Sequence, residues 1–225
     1  MFSAFIDLIF PRICTACLEP LQRNEEIICT DCRFDLPKTN LHLETENTLA
    51  HKFFGEVQLK HTLSYLKFVK GGKVQRLMHE LKYKGNQEVG EMLGRWYGAE
   101  LRESGFADAF DLIIPVPLHQ KRLLLRGYNQ SDCFAKGLSE SLNIEWRNDI
   151  LIRETETSSQ VNKSRLERYQ NMDKVFTVKN PELLRNKKIV VVDDTLTTGA
   201  TLESCVLSLQ AFEIKDISIL TLAMA

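Results

Sequence analysis

Apolar residues along the chain fall into two patterns that alternate with each other. Short continuous runs occur in "FDLIIPVP" (Phe110–Pro117), "KIVVVDD" (Lys188–Asp194) and "ISILTLAMA" (Ile217–Ala225), as expected of strands covered on both faces. "VQLKHTLSYLKFV" also reads as strand-like, and a stretch near Ile150 and "KVFTV" add two shorter candidates. Between these runs the spacing becomes helical. Gly71-Gly72 leads into a helix with Val74, Leu77, Met78 and Leu81 on one face, and a second runs from Asn86 through Leu101 with Met92 or Leu93, Trp96 and Tyr97 inward. A third lies around Ser131 to Ser141, after a loop. In "GATLESCVLSLQAF" the residues Leu202, Cys205, Val206 and Leu209 share one face, which makes Cys205 a core residue; Cys133 stands alone with no role assigned. This alternation predicts an α/β domain with a mostly parallel sheet, whose ligands bind beyond the carboxyl ends of its strands.

The first residues differ from the rest. Phe2, Phe5, Ile6 and Ile9 fall at helical spacing, so a short amphipathic helix stopped by Pro11 is expected there. Asp7 inside it and the lack of a cationic leader make a poor secretory signal. No apolar run approaches the ~20 residues that cross a bilayer, so no membrane span and a cytoplasmic location are expected. A chain of 225 residues accommodates one sizeable core and a small appendage. Its net charge of −1 argues against general coating of nucleic acid or anionic membrane, while leaving room for a local basic patch.

Four of the six cysteines form two knuckles, Cys14-x-x-Cys17 and Cys29-x-x-Cys32, separated by eleven residues. Each knuckle turns two sulfurs toward one ion, and the spacer brings the pairs together, as a structural four-thiolate Zn2+ site requires. Redox-active pairs or disulfides are the alternatives, less suited to a reducing compartment. Arg12, Arg23 and Arg33 stand close enough in sequence to offset the charge of the thiolates. The module, double zinc ribbon-like, is expected over residues 1–42 with the N-terminal helix; "LHLETENTLAHKFFG" places a linker over 43–56; the α/β body follows over 57–225.

The chemistry concentrates in "KKIVVVDDTLTTGAT" (Lys187–Thr201). A strand ends in Asp193 and Asp194, and a threonine-rich loop leads into an apolar-periodic helix. Backbone N–H groups at that helix start, with the hydroxyls of Thr197, Thr198 and Thr201 and the close approach allowed by Gly199, suit a phosphate. No lysine lies in the loop and no G-x-x-x-x-G-K-[ST] is present, so it is not the usual triphosphate loop. The two carboxylates would repel that phosphate; they need donors or positive charge beside it. A ribose 5-phosphate satisfies both halves, with its 2- and 3-hydroxyls donating to the carboxylates, which also stabilise positive charge developing on the ring.

"VVVDDTLTTGAT" resembles the 5-phosphoribosyl-1-pyrophosphate (PRPP) motif of type I phosphoribosyltransferases almost residue for residue, with Thr195 standing where an aliphatic residue is more usual. Together with "LKYKG", "IIPVPLHQKRLLLRGYNQS", "LIRETETSSQVNKSRLERYQNMDKVF" and the cysteine module in front, it resembles the ComF family over nearly the whole chain. The resemblance implies a zinc finger joined to a phosphoribosyltransferase-like domain. It implies catalytic roles for Asp193 and Asp194, and binding of the 5-phosphate of PRPP by Thr195, Leu196, Thr197, Thr198, Gly199 and Thr201. Lys121, Arg122, Arg126 and Gly127 lie where type I enzymes hold pyrophosphate; a solvated basic loop would look similar. Arg153, Gln160, Lys163, Arg165 and Arg168 match a hood that closes over substrate, or else a polar linker. Lys82 and Lys84, in "LKYKG", are further site candidates. Mg2+ is expected with PRPP, bridging pyrophosphate oxygens and ribose hydroxyls.

The function expected is transfer of ribose 5-phosphate from PRPP to an unknown acceptor with release of pyrophosphate, in service of DNA uptake during natural transformation. The alternative is a non-catalytic PRPP- or phosphate-sensing scaffold that binds single-stranded DNA or a protein of DNA uptake. Seven lysines and arginines against one acid, Glu80, lie between Lys60 and Lys84, either as a phosphate-backbone face or merely as a solvated one.

Overall fold

In the computed structural model, which describes residues 11–44, 48–53, 55, 57–153 and 175–225, the three continuous apolar runs lie in one four-stranded sheet. Its strands are β1 (Thr62–Lys67), β2 (Leu112–Pro115), β5 (Lys188–Leu196) and β6 (Asp216–Met224), in the order β1-β6-β5-β2 and all parallel. The short β3 (Leu151–Arg153) and β4 (Phe176–Val178) pair antiparallel in a separate ribbon. Side chains alternate across the sheet: Ile113, Val190, Val192, Leu220 and Leu222 enter one core, while Leu112, Ile114, Ile189, Val191 and Ile219 enter another. Burial on both faces is why these strands read as unbroken apolar runs.

The first core holds the helices α2 (Lys73–Tyr83), α3 (Gln87–Leu101) and α5 (Gln130–Leu142). Val74, Leu77, Met78 and Leu81 of α2 are all buried, on the expected face. In α3, Leu93 and Tyr97 are fully buried and Trp96 only partly. The second core holds α6 (Ala200–Leu209), with Leu202, Cys205, Val206 and Leu209 buried. The initial amphipathic helix expected over the first residues lies outside the described residues.

Two features of the fold depart from the pattern. The stretch after β2, expected as a loop, contains α4 (Gln120–Arg126). His119 caps its start, accepting from the Lys121 N–H at 3.2 Å, and Gly127 ends it at φ 77°. Between them sit a leucine run and basic residues of good helix propensity, too exposed to show a periodic face. Residues 48–53, within the expected linker, form a 3-10 turn that buries Leu49 and Phe53 in the second core.

Helices α3 and α5 touch backbone to backbone. A Cβ on Gly137 would lie 2.0 Å from the carbonyl oxygen of Glu91, and one on Gly94 would lie 2.4 Å from that of Phe134. Backbone cannot rotate away as a side chain does. Gly137→Ala is therefore expected to push the helices apart at a cost of about 3 kcal/mol, read as a lowered urea midpoint at unchanged slope. An unchanged midpoint would mean the helices have slack.

Candidate functional site

The four cysteines of the two knuckles converge. The Sγ atoms of Cys14, Cys17, Cys29 and Cys32 all lie within 4.8 Å of one another, and all are free thiols. Cys17 and Cys29 sulfurs are 3.7 Å apart. A tetrahedral Zn2+ with bonds of about 2.3 Å holds its sulfurs roughly 3.8 Å apart, so this donor set fits the ion. Cys29 opens the short α1 (Thr30–Phe34), which carries Cys32. Burial pushes the Cys14 thiol up, yet N–H groups of Cys17, Cys29 and Ala16 together outweigh it and bring it down to about 6; burial pushes Cys29 and Cys32 up.

This module packs on the body rather than standing off it. Cys14, Ala16, Ile28, Cys32 and Leu36 belong to the first core. Arg76 of α2 donates to the carbonyl of Ala16 at 2.6 Å, Lys73 pairs with Asp35 at 2.6 Å, and Lys38 pairs with Glu100 of α3 at 2.6 Å. The Arg33 guanidinium lies 4.6 Å from the Trp96 ring.

At its far end, α2 reaches the acid pair. Lys82 Nζ lies 2.9 Å from Asp194 Oδ1 and donates to Thr195 Oγ1 at 3.0 Å. β5 does not stop at the aspartates but pairs with β6 through Leu196, so the two carboxylates belong to consecutive strand residues and leave the chain on opposite sides. Asp194 turns to Lys82. Asp193 turns to Ser131, in the first turn of α5, accepting its hydroxyl at 3.0 Å and the Asp194 N–H at 2.8 Å through the same oxygen. Burial first, and the neighbouring Asp194 charge second, push the Asp193 carboxyl up to about 7, against the smaller pull of those hydrogen bonds and of Lys82.

Beyond the pair, Thr197, Thr198 and Thr201 are exposed at the start of α6, with Gly199 buried at its cap. Gly199 has φ 91°, and a Cβ there would come 2.9 Å from the Phe53 ring, so both backbone and packing demand glycine. Leu196 is a core side chain, 1% exposed, and offers the loop only its backbone.

The basic candidates do not gather at one point. Lys121 and Arg122 are exposed on α4, and Lys84 is exposed at the end of α2. Arg126 donates to Gln130 at 2.5 Å and lies 5.3 Å from the Tyr83 ring. Tyr128, just past Gly127, donates its hydroxyl to the Leu81 carbonyl and ties this segment to α2. Arg153 lies over Phe176 at 5.5 Å; Gln160, Lys163, Arg165 and Arg168 lie outside the described residues. Of the cations between Lys60 and Lys84, Lys73, Arg76 and Lys82 are engaged within the molecule.

Three neighbours of the acid pair and its loop escape a reading of motifs. Ser131 is one of several serines in its helix, and only its place two residues after "GYN" marks it. Phe53 and Lys52, whose Nζ donates to the Thr197 carbonyl at 3.4 Å, sit in a stretch with no periodicity. No helix among the described residues is long and apolar enough to cross a membrane.

Comparison with known proteins agrees with this arrangement. Residues 132–225 match the family described as the phosphoribosyl transferase domain. The chain is 30% identical over 192 residues to the DNA utilization protein YhgH of Escherichia coli (strain K12), covering 84% of this chain and 80% of that one. It is 34% identical over 116 residues to Competence protein F of Haemophilus influenzae, 51% of each chain. Among solved structures, the purine phosphoribosyltransferase from Pyrococcus horikoshii shares 24% identity over 60% of this chain and 73% of its own, at a TM-score of 0.38, too distant a likeness to assign residue roles. With a four-cysteine cluster ahead of a parallel-sheet body of the phosphoribosyltransferase kind, and a relative matched along four-fifths of its length, the chain belongs to the ComF family.

Proposed function

We propose that the chain binds PRPP with Mg2+ and transfers its ribose 5-phosphate to an acceptor, releasing pyrophosphate, as a cytoplasmic protein of DNA uptake. The observation that carries this reading is the acid pair near the end of β5, each carboxylate already met by a donor, two strand residues before a threonine turn at the start of α6. The N–H groups of that turn and the hydroxyls of Thr197, Thr198 and Thr201 take the 5-phosphate. Asp193 and Asp194 take the ribose hydroxyls, and their charge favours the positive character the ring acquires as pyrophosphate departs. Lys82 holds Asp194 until a ligand donor replaces it. In this reading the exposed Lys121 and Arg122 on α4 are the cations that meet the pyrophosphate. Mg2+ has carboxylate oxygens at Asp193 and Asp194 within the same site and, when bound with PRPP, supplies charge neutralisation to the leaving pyrophosphate. Four thiolates hold Zn2+ in the module as structural support, with no open coordination position.

The names of the relatives, a DNA utilization protein and Competence protein F, support the assignment to DNA uptake. A single-stranded DNA face on α2 is disfavoured, because Lys73, Arg76 and Lys82 are already engaged there. A DNA affinity that rises steeply as salt falls would reverse that judgement.

A thermal melt tests the reading. At a ligand excess of about 100 times its dissociation constant, PRPP with Mg2+ adds about 2.7 kcal/mol, roughly 5–11 °C for a chain of this size. Asp194→Asn keeps the fold, since its hydrogen bond to Lys82 survives in part, and is expected to lose most of that shift. A folded wild-type chain with no shift would sink the proposal.

A further inference from the structure

Two hydroxyls inside the sheet, Ser64 Oγ on β1 and Thr221 Oγ1 on β6, are buried with no hydrogen-bond partner among the described residues. Both residues are 0% exposed. Their places are related. Ser64 is the register partner of Thr221, and Thr221 is the register partner of Asp193 on β5, so the three form one row across neighbouring strands. They also share a side. Val191 and Ile219 enter the second core, and two residues further along each strand Asp193 and Thr221 take the same side. Ser64, between Leu63 and Tyr65 of the first core, faces with them.

Packing alone does not call for hydroxyls here. The register pair before Thr221 and Asp193 is Ile219 and Val191, both apolar, and a valine and an alanine would fill the row without stranding a polar atom. Asp193 supplies the acceptor that the row lacks. The hydrogen bonds that reach its side chain among the described residues, from Ser131 and from the Asp194 N–H, both end on Oδ1. Oδ2 keeps its acceptor capacity. Neighbouring strands lie about 4.8 Å apart, a gap that a threonine hydroxyl and a carboxylate span once χ1 of the threonine takes the right one of its wells. The chain of bonds then has one direction, because a carboxylate only accepts: Ser64 donates to Thr221, and Thr221 donates to Oδ2.

We propose that Ser64 and Thr221 are positioning residues for the acid pair, closing the row Ser64–Thr221–Asp193 when ligand binds and so fixing the Asp193 carboxylate toward the ribose hydroxyls. The inference rests on the reading of the acid pair as the ribose site. In the free protein Asp193 is held by one oxygen, and the two hydroxyls are stranded. A sugar that engages the carboxylate sets its plane, and Oδ2 is then presented to Thr221. Two hydroxyls that are unpaired without ligand become paired with it, so the bound state gains a stabilisation that the free state does not have. Neither residue touches the ligand; both act through Asp193.

The test is calorimetric titration of the full chain with PRPP and Mg2+ and, separately, with inorganic phosphate, which the threonine turn holds without any ribose. Thr221→Val keeps the shape and removes the hydroxyl, Thr221→Ser keeps the hydroxyl, and Ser64→Ala removes the next link. Thr221→Val is expected to melt no lower than wild type, since it deletes a stranded polar atom. It should bind PRPP–Mg2+ about tenfold more weakly, the loss of one hydrogen bond to a charged group, and bind phosphate as wild type does. Thr221→Ser should restore most of the affinity, and Ser64→Ala should fall between valine and wild type. Wild-type PRPP affinity in Thr221→Val, a loss shared equally by phosphate, or a loss that serine does not repair would each overturn the inference. If Thr221→Val does not fold, Ser64→Ala decides, and an unchanged PRPP affinity there overturns it too. A wild-type chain that takes phosphate but not PRPP would overturn the ribose reading itself, and the positioning role with it.

Discussion

Stripping the metal from the four-cysteine module, by a chelator or by Cys32→Ser, is expected to cost the protein more stability than any other single change and to weaken PRPP–Mg2+ binding at a distance. Structural zinc in small finger modules binds with an apparent free energy of about 10–16 kcal/mol, comparable to or above the whole stability of an ordinary domain. Without it, the buried Cys14 and Cys32 have no role that repays their burial, and the loops that carry the four sulfurs are expected to lose their order. The damage would not stay local. Ala16, Cys14 and Cys32 are part of the first core, and Arg76 and Lys73 anchor the start of α2 on the module. Lys82 stands nine residues further along the same helix, about 13 Å by helical rise, and its ammonium holds Asp194 and Thr195. Release of the first turns of α2 therefore loosens the end that faces the acid pair. The measurement is a pair of melts, with and without chelator, each repeated with PRPP and Mg2+. We expect a large fall in melting temperature and a smaller ligand shift; the same melting temperature and the same shift after verified metal loss would show that the module neither supports the body nor reaches the site.

The elements that reward a reading of the chain are those whose burial is one-sided or total. Val74, Leu77, Met78 and Leu81 declare α2 because a single face is covered, and β2, β5 and β6 declare themselves because both faces are. The helix α4 carries no such mark: Leu124 and Leu125 are 79% and 85% exposed, so its leucines follow no buried stripe. The site shows the same division. Asp193, Asp194 and the threonine turn are contiguous in sequence and can be found as a motif. Ser131, Lys52 and Phe53 reach them only by tertiary contact, and the divergence of the two carboxylates follows from β5 continuing to Leu196. A strand that ends at the acids and one that runs two residues past them have the same sequence signature, because the extra pairs depend on β6.

Asp193→Asn is expected to stabilise the free protein at pH 8 while abolishing the PRPP–Mg2+ melting shift. The wild-type carboxyl sits near 7 in the fold, pushed up by burial and by Asp194, against about 3.8 when exposed in the unfolded chain. A raised acid binds its proton more tightly when folded, so its contribution to stability is fully present below about pH 4 and is lost as pH rises toward 7. Above that the folded state carries a charge it resists, at a cost of order 2–4 kcal/mol for a shift of this size. Asparagine keeps the carbonyl oxygen that accepts from Ser131 and from the Asp194 N–H, and removes the charge. The variant should thus gain about 2–4 kcal/mol over wild type at pH 8 and almost nothing at pH 4, a difference that urea titrations at the two pH values resolve. It should also lose the ligand, because an amide offers the ribose hydroxyls one acceptor where a carboxylate offers two, and no charge. A variant less stable than wild type at pH 8 would show that the charge itself holds the strand end in place. A more stable variant that still binds PRPP would separate the strain at Asp193 from recognition, leaving Asp194 as the carboxylate that meets the sugar. Gain and loss together would mean that the protein carries an unfavourable charge in its free state because the ligand requires it.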